Sequence, residues 1–536
     1  MEALNSPNDA APVLVIGAGP VGLTMACELA RHGARCRIID RAPEPSQTSR
    51  ALAIFPRTLE ILETMGVVEP FLDGGLPLHG LSLHHGAEQI GQVDFNSVAS
   101  PFPFALALPQ SETERLLSEH LTRHGIAIER GVELTALMQN SDAVRAVLRH
   151  SDGREEIVET PWLIACDGAH STTRHALGMD FTGAQYDESF ILADVQLASS
   201  LVRDRIHLFL GADGLLGLFP FKENRWRIVA NIPPQSREQT LPEVTFEEVQ
   251  RLLERRAPSG YRASDPVWLS RFHISHRKVR EFRQLRVFLA GDSAHIHSPA
   301  GGQGMNTGMQ DAFNLAWKLA LVVGGAAPTQ LLASYHAERE PVASEVLNLT
   351  DRITRMATMR NSLAQNVRDF LLPRVSGIDF VGNKIADRLA ELAVNYRKSP
   401  IVENHGVGKL KAGDRAPDAD LRDESSQARR LFELFRAPRH VLLIFLGTAA
   451  AAATSEQIGS ALQGLPENTV DSYRITRGRS NLPAELRDLS GLAHAAYGLT
   501  SGGSVLVRPD GYIGYRSDGF DPIPLREYLA RTFVVA

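Results

Sequence analysis

Short apolar runs and a helical pattern alternate over the first forty residues. Val13–Ile16 is an apolar run, and in residues 21–32 the apolar positions recur at intervals of three and four. That spacing predicts a helix, which Gly33 ends. A second apolar run, Cys36–Ile39, closes on Asp40. The order strand, helix, strand predicts a βαβ unit at the start of the chain.

A G-x-G-x-x-G sequence joins the first strand to the helix, and it consists of Gly17, Gly19 and Gly22, with Pro20 inside it. In such a turn the first glycine leaves the strand sharply, the second lets a pyrophosphate approach the backbone, and the third allows close packing. The phosphates would meet free N–H groups at the positive end of the helix. Asp40 would accept a hydrogen bond from a ribose hydroxyl. The pattern predicts a dinucleotide site and leaves the choice between NAD and FAD open.

The rest of the chain continues with helical and strand patterns. Phe313 and Trp317 lie on the apolar face of a helix, so we expect them in the core. Pro341 should start or kink a helix, and Ser111 with Glu114 predicts a capping box. The helical patterns cover residues 56–65, 110–125, 307–321, 330–353 and 524–532, and the strand patterns cover 74–109, 131–163, 181–275, 287–290 and two stretches after 413.

Composition narrows the class of protein. The chain has 536 residues, a net charge of −6 and three cysteines. No apolar run reaches the ~20 residues of a membrane span, no signal peptide is visible, and nothing resembles the basic footprint of a nucleic-acid-binding protein. Cys27, Cys36 and Cys166 lie in apolar segments, which argues against a disulfide framework and fits a reducing cytoplasm.

Two later motifs, like the glycine turn, directly follow a predicted strand. Asp167 and Gly168 follow one apolar run, and Gly291 and Asp292 follow another, before a glycine-rich loop that leads into a helix. In order and spacing the three signals resemble the group A FAD-dependent aromatic hydroxylases, the flavoprotein monooxygenase family of pentachlorophenol 4-monooxygenase and phenol hydroxylase. The string FLAGDSAHIHSPAGGQGMNTGMQDAFNLAWKLALV is specific to this class, and the likeness runs over nearly the whole chain.

The resemblance implies that the first glycine motif holds FAD non-covalently. NADPH or NADH, the co-substrate, would have no Rossmann domain of its own and would dock transiently. Asp292 would bind the ribityl chain, and Met305 and Asn306 would contact the flavin ring through backbone groups at a helix N-terminus. The cofactor-binding residues that the resemblance implies are Gly17, Gly19, Pro20, Gly22, Asp40, Arg41, Arg50, Gln110, Asp167, Gly168, Gly291, Asp292, Gly304, Met305 and Asn306.

On the substrate side, the resemblance implies that the second strand-rich stretch covers the flavin and that Pro299 lies beside its reactive face. Arg225 and Arg227 share one face of a strand. Either one would steady a phenolate or contact flavin, unless both are plain surface arginines. His276 and His273 are further candidates. The RIHLFLG strand has no tyrosine of the kind that holds the phenolic oxygen in relatives, so the substrate-activating residue is left open.

His295 and His297 form an H-x-H pair, which is a spacing found in metal sites. No third ligand is nearby in the sequence, and the same loop fits the flavin motif. No metal is therefore predicted, because flavin itself carries the oxygen chemistry.

The predicted fold class is mixed α/β (α+β): a Rossmann-like FAD-binding domain, an inserted antiparallel-sheet substrate domain and a C-terminal thioredoxin-like domain. The last domain contains no cysteine, so dithiol chemistry is excluded and a structural or dimerisation role remains. The predicted boundaries are 10–74, 110–180 and 276–354 for the FAD-binding domain, 75–109 and 181–275 for the substrate domain, 355–410 for a helical linker and 411–536 for the thioredoxin-like domain.

These expectations define an FAD-dependent monooxygenase that uses NAD(P)H and O2 to hydroxylate a phenolic or related aromatic substrate through a flavin C4a-hydroperoxide. One alternative is a Baeyer–Villiger or epoxidising enzyme that acts on a polycyclic substrate. The other is a catalytically silent FAD-binding module. The substrate, the oxidised position, the choice between NADPH and NADH, and a homodimeric state are left open, and no nucleic-acid partner is expected.

Overall fold

The architecture comes from a computed structural model that describes residues 11–46, 51–211, 213–232, 243–298, 302–357, 379–423, 425–447, 455–478 and 485–535. It mixes helices with five sheets, which confirms the predicted α/β class. Within the described ranges, no helix combines the length and the apolar character needed to cross a bilayer.

A six-stranded sheet, which we call the nucleotide sheet, forms the centre of the first part. Val13–Ile16 is fully buried and pairs in parallel with Trp162–Ala165 on one side and with Cys36–Asp40 on the other. A parallel strand that is covered on both faces is apolar throughout, which explains the uninterrupted apolar runs. In spatial order the strands are Arg283–Gln284, Val287–Leu289, Trp162–Ala165, Val13–Ile16, Cys36–Asp40 and Ile128–Arg130.

Helix Pro20–Arg31 follows the first strand and packs against helix Gly304–Val323. Phe313 and Trp317 on the second helix are buried, as predicted. The other helices of this part are Pro56–Thr64, Val68–Gly74, Gln110–Arg123, Thr172–Ala176 and Ala333–Ala357, with 3-10 turns at Gly291–Ser293 and Thr329–Leu332.

One prediction about a helix end is wrong, and another is narrowed. The helix that begins at Gln110 starts directly after Pro109, whose carbonyl oxygen already accepts the first helical hydrogen bonds. Its first turn has no side-chain cap, so the capping box predicted at Ser111 and Glu114 is wrong. Glu114 instead accepts a hydrogen bond from the Gln110 amide. Pro341 lies within helix Ala333–Ala357 and does not start it, which leaves the other predicted outcome, a kink, as a prediction.

Three separate chain segments form one eight-stranded sheet, which we call the inserted sheet. Its neighbouring strands are antiparallel except that Ile206–Gly211 pairs in parallel with Gly80–His85. One face packs against helix Phe246–Arg256, where Phe209 and Trp226 are buried. In spatial order the strands are His295–Ile296, Arg262–Lys278, Thr182–Ala198, Arg225–Ile232, Gly214–Phe221, Ile206–Gly211, Gly80–His85 and Glu88–Asp94.

Two three-stranded sheets lie beside these larger ones. Strand Val132–Gln139 of the first small sheet approaches strand Cys36–Asp40 of the nucleotide sheet, so it reaches the neighbourhood of the glycine turn. The strands of the two small sheets are Val132–Gln139, Val144–His150 and Glu155–Thr160, and Ala53–Ile54, Leu76–Leu78 and Ala105–Ala107.

The C-terminal part has its own sheet and its own apolar core. Its edge strand, Glu403–His405, lies in the segment predicted as a linker, as does helix Asp379–Leu389. In spatial order the strands are Glu403–His405, Ile513–Ser517, Gly503–Val507, His440–Phe445, Val470–Thr476, Glu485–Arg487, Asp420–Arg422 and Ala428–Arg430, and the remaining helices are Leu431–Leu434, Ser455–Leu462, Leu492–Ala496 and Pro522–Thr532.

Candidate active site

The glycine turn leaves an open space above a helix N-terminus. Gly17 has a φ of +100°, and a Cβ there would lie 2.3 Å from the Cys166 carbonyl oxygen. A Cβ at Gly22 would lie 1.8 Å from the Gly17 carbonyl oxygen, whereas nothing lies within 4 Å of a Cβ at Gly19. Helix Pro20–Arg31 has no side-chain cap and no acidic residue in its first turn. Its N–H groups and positive end therefore suit a pyrophosphate.

The turn opens into a cleft that brings together two of the three predicted motifs, the glycine turn with Asp40 and the Asp167–Gly168 pair. Among the predicted cofactor residues, Gly17, Gly19, Asp40, Arg41, Asp167 and Gly168 line it. The sequence patterns did not predict the other lining residues, which are Ile16, Val132, Glu133, Leu134, Cys166 and Thr172. Cys166 directly precedes Asp167 in the sequence, so the Asp167–Gly168 motif could have indicated it. The strand with Glu133 arrives through long-range packing that no local pattern reports.

Asp40 closes the floor of the cleft with both carboxylate oxygens engaged. Its Oδ2 accepts a hydrogen bond from the Ala18 N–H at 2.6 Å, and its Oδ1 accepts one from the Ala42 N–H at 2.8 Å. Asp40 thus ties the glycine turn to the end of the second strand. A carboxylate has about four acceptor sites, so the ribose contact stays a prediction that this geometry permits.

Asp167 presents a buried oxygen to the same cleft. Its Oδ2 accepts hydrogen bonds from the Thr173 N–H at 3.0 Å and the Thr173 hydroxyl at 2.9 Å. Its Oδ1 is buried and has no partner among the described residues. Gly168 follows with a φ of +78°. An acceptor without a partner in a dinucleotide-sized cleft fits a cofactor hydroxyl or amide, because buried polar atoms are normally paired.

The Gly291–Asp292 motif packs closely against the glycine turn, because two glycines leave room for the Val21 side chain. A Cβ at Gly291, whose φ is +61°, would lie 2.8 Å from the Val21 side chain. A Cβ at Gly308 would lie 2.7 Å from the same side chain. These glycines let helix Gly304–Val323 approach the motif helix, and Asp292 is left exposed beside them.

The first turn of helix Gly304–Val323 is anchored by a side chain, which leaves its backbone for a ligand. The Asn306 side chain accepts a hydrogen bond from the Phe55 N–H and donates one to the Ala53 carbonyl oxygen, both at 2.9 Å. Met305 is buried beside it. Contact with a flavin ring through backbone groups stays a prediction, and this arrangement is compatible with it.

Three further predicted residues have different outcomes. The Gln110 side chain donates to Glu114 at 2.8 Å, and its backbone N–H donates to the Ala51 carbonyl oxygen at 3.2 Å. Arg50 and Pro299 lie outside the described residues, so their predicted roles stay predictions.

The substrate-side arginines are both paired. Arg227 is buried and donates to the two carboxylate oxygens of Asp194, each at 2.8 Å. It also donates to the Ala51 carbonyl oxygen at 3.2 Å, so it bridges the inserted sheet and the nucleotide-binding part. Arg225 pairs with Asp265, more than half of whose side chain is exposed.

The candidate histidines have different surroundings. The His276 ring packs edge-on against Tyr186 with centroids 5.0 Å apart, and its buried Nδ1 has no partner among the described residues. His273 is exposed. The Nε2 of His295 lies 2.7 Å from Asp311, and His297 lies 3.0 Å from the Ser298 carbonyl oxygen. The H-x-H histidines therefore have separate protein partners.

The face of the inserted sheet opposite helix Phe246–Arg256 is what we call the inner face. Cross-strand register places Arg227 between Asp194 and Phe219, and side chains two positions apart share a face. The inner face packs against Leu52, Leu78 and Ala107 of the nucleotide-binding part. Its half-buried apolar members are Leu208, Phe219, Val229 and Trp268.

Two sequence families match the chain. The family described as FAD binding domain matches residues 10–350, and the one described as Aromatic-ring hydroxylase, C-terminal, matches residues 410–536. The chain belongs to the FAD-dependent aromatic-ring hydroxylases. It is a flavoprotein monooxygenase that binds FAD and uses NAD(P)H and O2, which confirms the class and cofactors that the resemblance implied.

Characterised relatives cover almost the whole chain. It is 38% identical over 518 residues to 6-methylpretetramide 4-monooxygenase of Streptomyces rimosus, which covers 94% of this chain and 90% of the relative. It is 32% identical to pentachlorophenol 4-monooxygenase of Sphingobium chlorophenolicum, over 96% of this chain and 95% of that protein. The structure of OxyS anhydrotetracycline hydroxylase from Streptomyces rimosus matches with a TM-score of 0.76 at 32% identity, over 97% of this chain and 98% of that one.

Proposed function

We propose that this monooxygenase hydroxylates a phenol with fused aromatic rings. The observation that carries the proposal is the inner face of the inserted sheet, where Arg227 is the buried cation and Asp194 already neutralises it. Leu208, Phe219 and Trp268 offer half-buried apolar area around this pair. Apolar walls with few polar groups suit a large flat ligand, whereas a small charged phenol needs a free counter-ion.

Two relatives point the same way. The names of the proteins at 38% and 32% identity give 6-methylpretetramide and anhydrotetracycline as what those proteins act on. Pentachlorophenol, in the name of a third relative, has a single ring. We therefore assign the fused-ring class to this chain and keep the single-ring class as the outcome that a substrate screen must exclude.

Within this proposal, bound FAD supplies the oxygen chemistry, and the chain supplies binding, orientation and exclusion of water. The glycine turn holds the pyrophosphate, and Asp292 holds the ribityl chain. The positive end of helix Gly304–Val323 favours negative charge on the ring that it faces. Arg227 ties the inner face to the nucleotide-binding part through its bond to Ala51, and a place for Pro299 beside the ring is an expectation that rests on the family resemblance alone.

The test is a screen of phenols for stimulated NADPH and NADH oxidation, with mass spectrometry of each product. We expect fused-ring phenols to give the higher kcat/KM and a product heavier by one oxygen atom. Equal or better turnover of single-ring phenols would contradict the proposed substrate class. An inserted ester oxygen would favour the Baeyer–Villiger alternative, and no turnover with any phenol would favour the silent FAD-binding module.

The proposal also includes the setting in which the enzyme works, which is the cytoplasm and a homodimer. Burial raises the pKa of the Cys36 thiol to about 12, so this cysteine stays a protonated, unreactive side chain, which supports a reducing compartment.

The C-terminal part exposes Val407, Leu489 and Leu492, which supports an apolar contact between two copies. Sedimentation of the FAD-loaded protein tests the dimer, and a monomer at micromolar concentration would exclude it.

A further inference from the structure

One of the contacts between the C-terminal part and the nucleotide-binding helices is a β-turn, residues 508–511. The turn joins strands Gly503–Val507 and Ile513–Ser517, and Gly511 in it has a φ of +76°. Connections between strands normally run over the surface. Here, however, Arg508 and Asp510 are only 1% and 2% exposed. The tip of the turn is therefore enclosed by the first part of the molecule.

Asp510 holds the middle of helix Gly304–Val323. Its Oδ2 accepts hydrogen bonds from the Trp317 indole N–H at 3.1 Å and from the Asn314 amide at 3.3 Å. Its backbone carbonyl oxygen accepts one from Arg57 at 2.7 Å. One residue of the turn thus binds two helices of the nucleotide-binding part.

Arg508 extends the same contact into a buried cluster of four charges. It donates to the two oxygens of Glu338 at 2.6 and 3.1 Å and pairs with Asp510. Glu338 also accepts from Lys318 at 2.7 Å. Burial raises the pKa of Glu338, but the Arg508 and Lys318 charges outweigh it and hold that pKa well below its usual range. Two positive and two negative groups therefore balance.

Arg339, which follows Glu338 in the chain, connects this cluster to the Gly291–Asp292 motif through Asp311. It donates to Asp311 Oδ1 at 2.6 Å and to the Thr307 carbonyl oxygen at 3.0 Å. Asp311 Oδ2 accepts from the Gly291 backbone N–H at 3.0 Å, and His295 Nε2 is 2.7 Å from the same oxygen. Asp311 lies on the same helix one turn before the residues that the C-terminal turn binds.

We propose that the turn 508–511 is a positioning element for the cofactor. It holds helix Gly304–Val323 against the Gly291–Asp292 motif, so that the C-terminal part sets the affinity for FAD and the flavin midpoint potential without touching the cofactor. A buried ion cluster contributes little net stability because of its desolvation cost. What it does contribute is one fixed arrangement of the groups that it joins.

The test compares Asp510→Ala and Trp317→Phe with the control Arg430→Ala. Arg430 also crosses between the two parts, bonding Glu63 at 3.0 Å, but away from this helix. We would titrate each apoprotein with FAD, follow flavin fluorescence, and record the melting temperature of the apoprotein. We expect Asp510→Ala to bind FAD about 10-fold more weakly, or ~1.4 kcal/mol. Trp317→Phe removes the indole N–H and part of a buried ring that packs against His440. Asp510 keeps its bonds to Asn314 and Arg57 in this variant, so the loss of affinity should be smaller.

A second readout separates positioning from general packing. Because a displaced helix N-terminus stabilises anionic reduced flavin less well, the midpoint potential of both helix-contact variants should become more negative, while Arg430→Ala keeps the wild-type value. Wild-type affinity and potential in folded Asp510→Ala would overturn the proposal, and so would an equal loss in Arg430→Ala. If Asp510→Ala does not fold, Trp317→Phe decides: an unchanged dissociation constant and potential would overturn the proposal.

Discussion

At the scale of single residues, the glycines of the nucleotide turn are needed for two different reasons. Gly17 and Gly22 have no room for a side chain, because a Cβ at either one would lie within 2.3 Å of a backbone oxygen. Gly19 has open space around it and an ordinary φ of −76°. The fold therefore requires the first and third glycines, whereas the second is free of packing constraints and is predicted to serve the ligand.

This difference gives a prediction for Gly19. Both Gly19→Ala and Gly19→Asp should leave the melting temperature of the apoprotein close to wild type. Gly19→Asp should abolish FAD binding, because its carboxylate meets the pyrophosphate by charge, and Gly19→Ala should weaken binding only moderately. Calorimetric melting and FAD titration check both. Gly22→Ala is the comparison that should destabilise the apoprotein itself, and a normal melting temperature for it would contradict the packing argument.

Local sequence patterns were enough to bring Gly19, Asp40 and Asp167 to one cleft, since each lies at the end of a recognisable apolar strand. They could not report contacts between distant segments. The bond from Arg227 to Ala51 joins the inserted sheet to a loop of the other part. The strand with Glu133 enters the cleft by packing of the same kind. Such contacts depend on how whole elements pack against each other, and a periodic sequence pattern carries no information about that packing.

At the scale of elements, the start of helix Gly304–Val323 rests on a buried acid that no sequence pattern predicted. Glu391 is 4% exposed and has a φ of +59°. Its carboxyl group accepts hydrogen bonds from the Thr307 hydroxyl at 3.2 Å and from the Gln310 amide. Burial raises the pKa of Glu391 to about 8. At neutral pH this carboxyl group is therefore mainly protonated in the folded protein.

The consequence is a pH-dependent stability. The folded pKa of about 8 lies above the ordinary value of 4.5, so between these values the folded state binds more protons than the unfolded state. Stability must then fall as pH rises through that window. Glu391→Gln removes this proton uptake. Its free energy of unfolding should match wild type below pH 4.5 and exceed it by at least ~1.4 kcal/mol near pH 9.

Urea unfolding at three pH values measures this difference. Glu119→Gln is the matched control, because it removes a half-exposed carboxylate on another helix and leaves Glu391 in place. If plots of unfolding free energy against pH for Glu391→Gln and wild type stay parallel from pH 5 to pH 9, Glu391 is ionised in the folded protein.

At the scale of the whole molecule, the chain has one G-x-G-x-x-G turn and must serve two dinucleotides. With FAD in that turn, as the family resemblance implies, NAD(P)H would have to reach the flavin from a transient site. We predict that flavin reduction is slow without an aromatic substrate and rises sharply with one. A substrate that moves a flavin population from about 1:99 to 99:1 must favour the moved state by ~5.5 kcal/mol.

Anaerobic stopped-flow reduction by NADPH, with and without a substrate confirmed by product analysis, measures this coupling. The rate without substrate should be lower by at least about tenfold, which corresponds to ~1.4 kcal/mol of coupling. Equal rates would contradict substrate-gated reduction while leaving the FAD assignment untouched.

The single parallel pair in the inserted sheet has a consequence for biosynthesis. Gly80–His85 leaves the ribosome long before its partner Ile206–Gly211, and strand Val13–Ile16 likewise waits for Trp162–Ala165. At the usual speed of translation this delay is on the order of ten seconds. Such non-local pairing makes folding slow. Meanwhile the nascent chain carries an open apolar strand edge, so the yield of soluble enzyme should depend on chaperones that shield it.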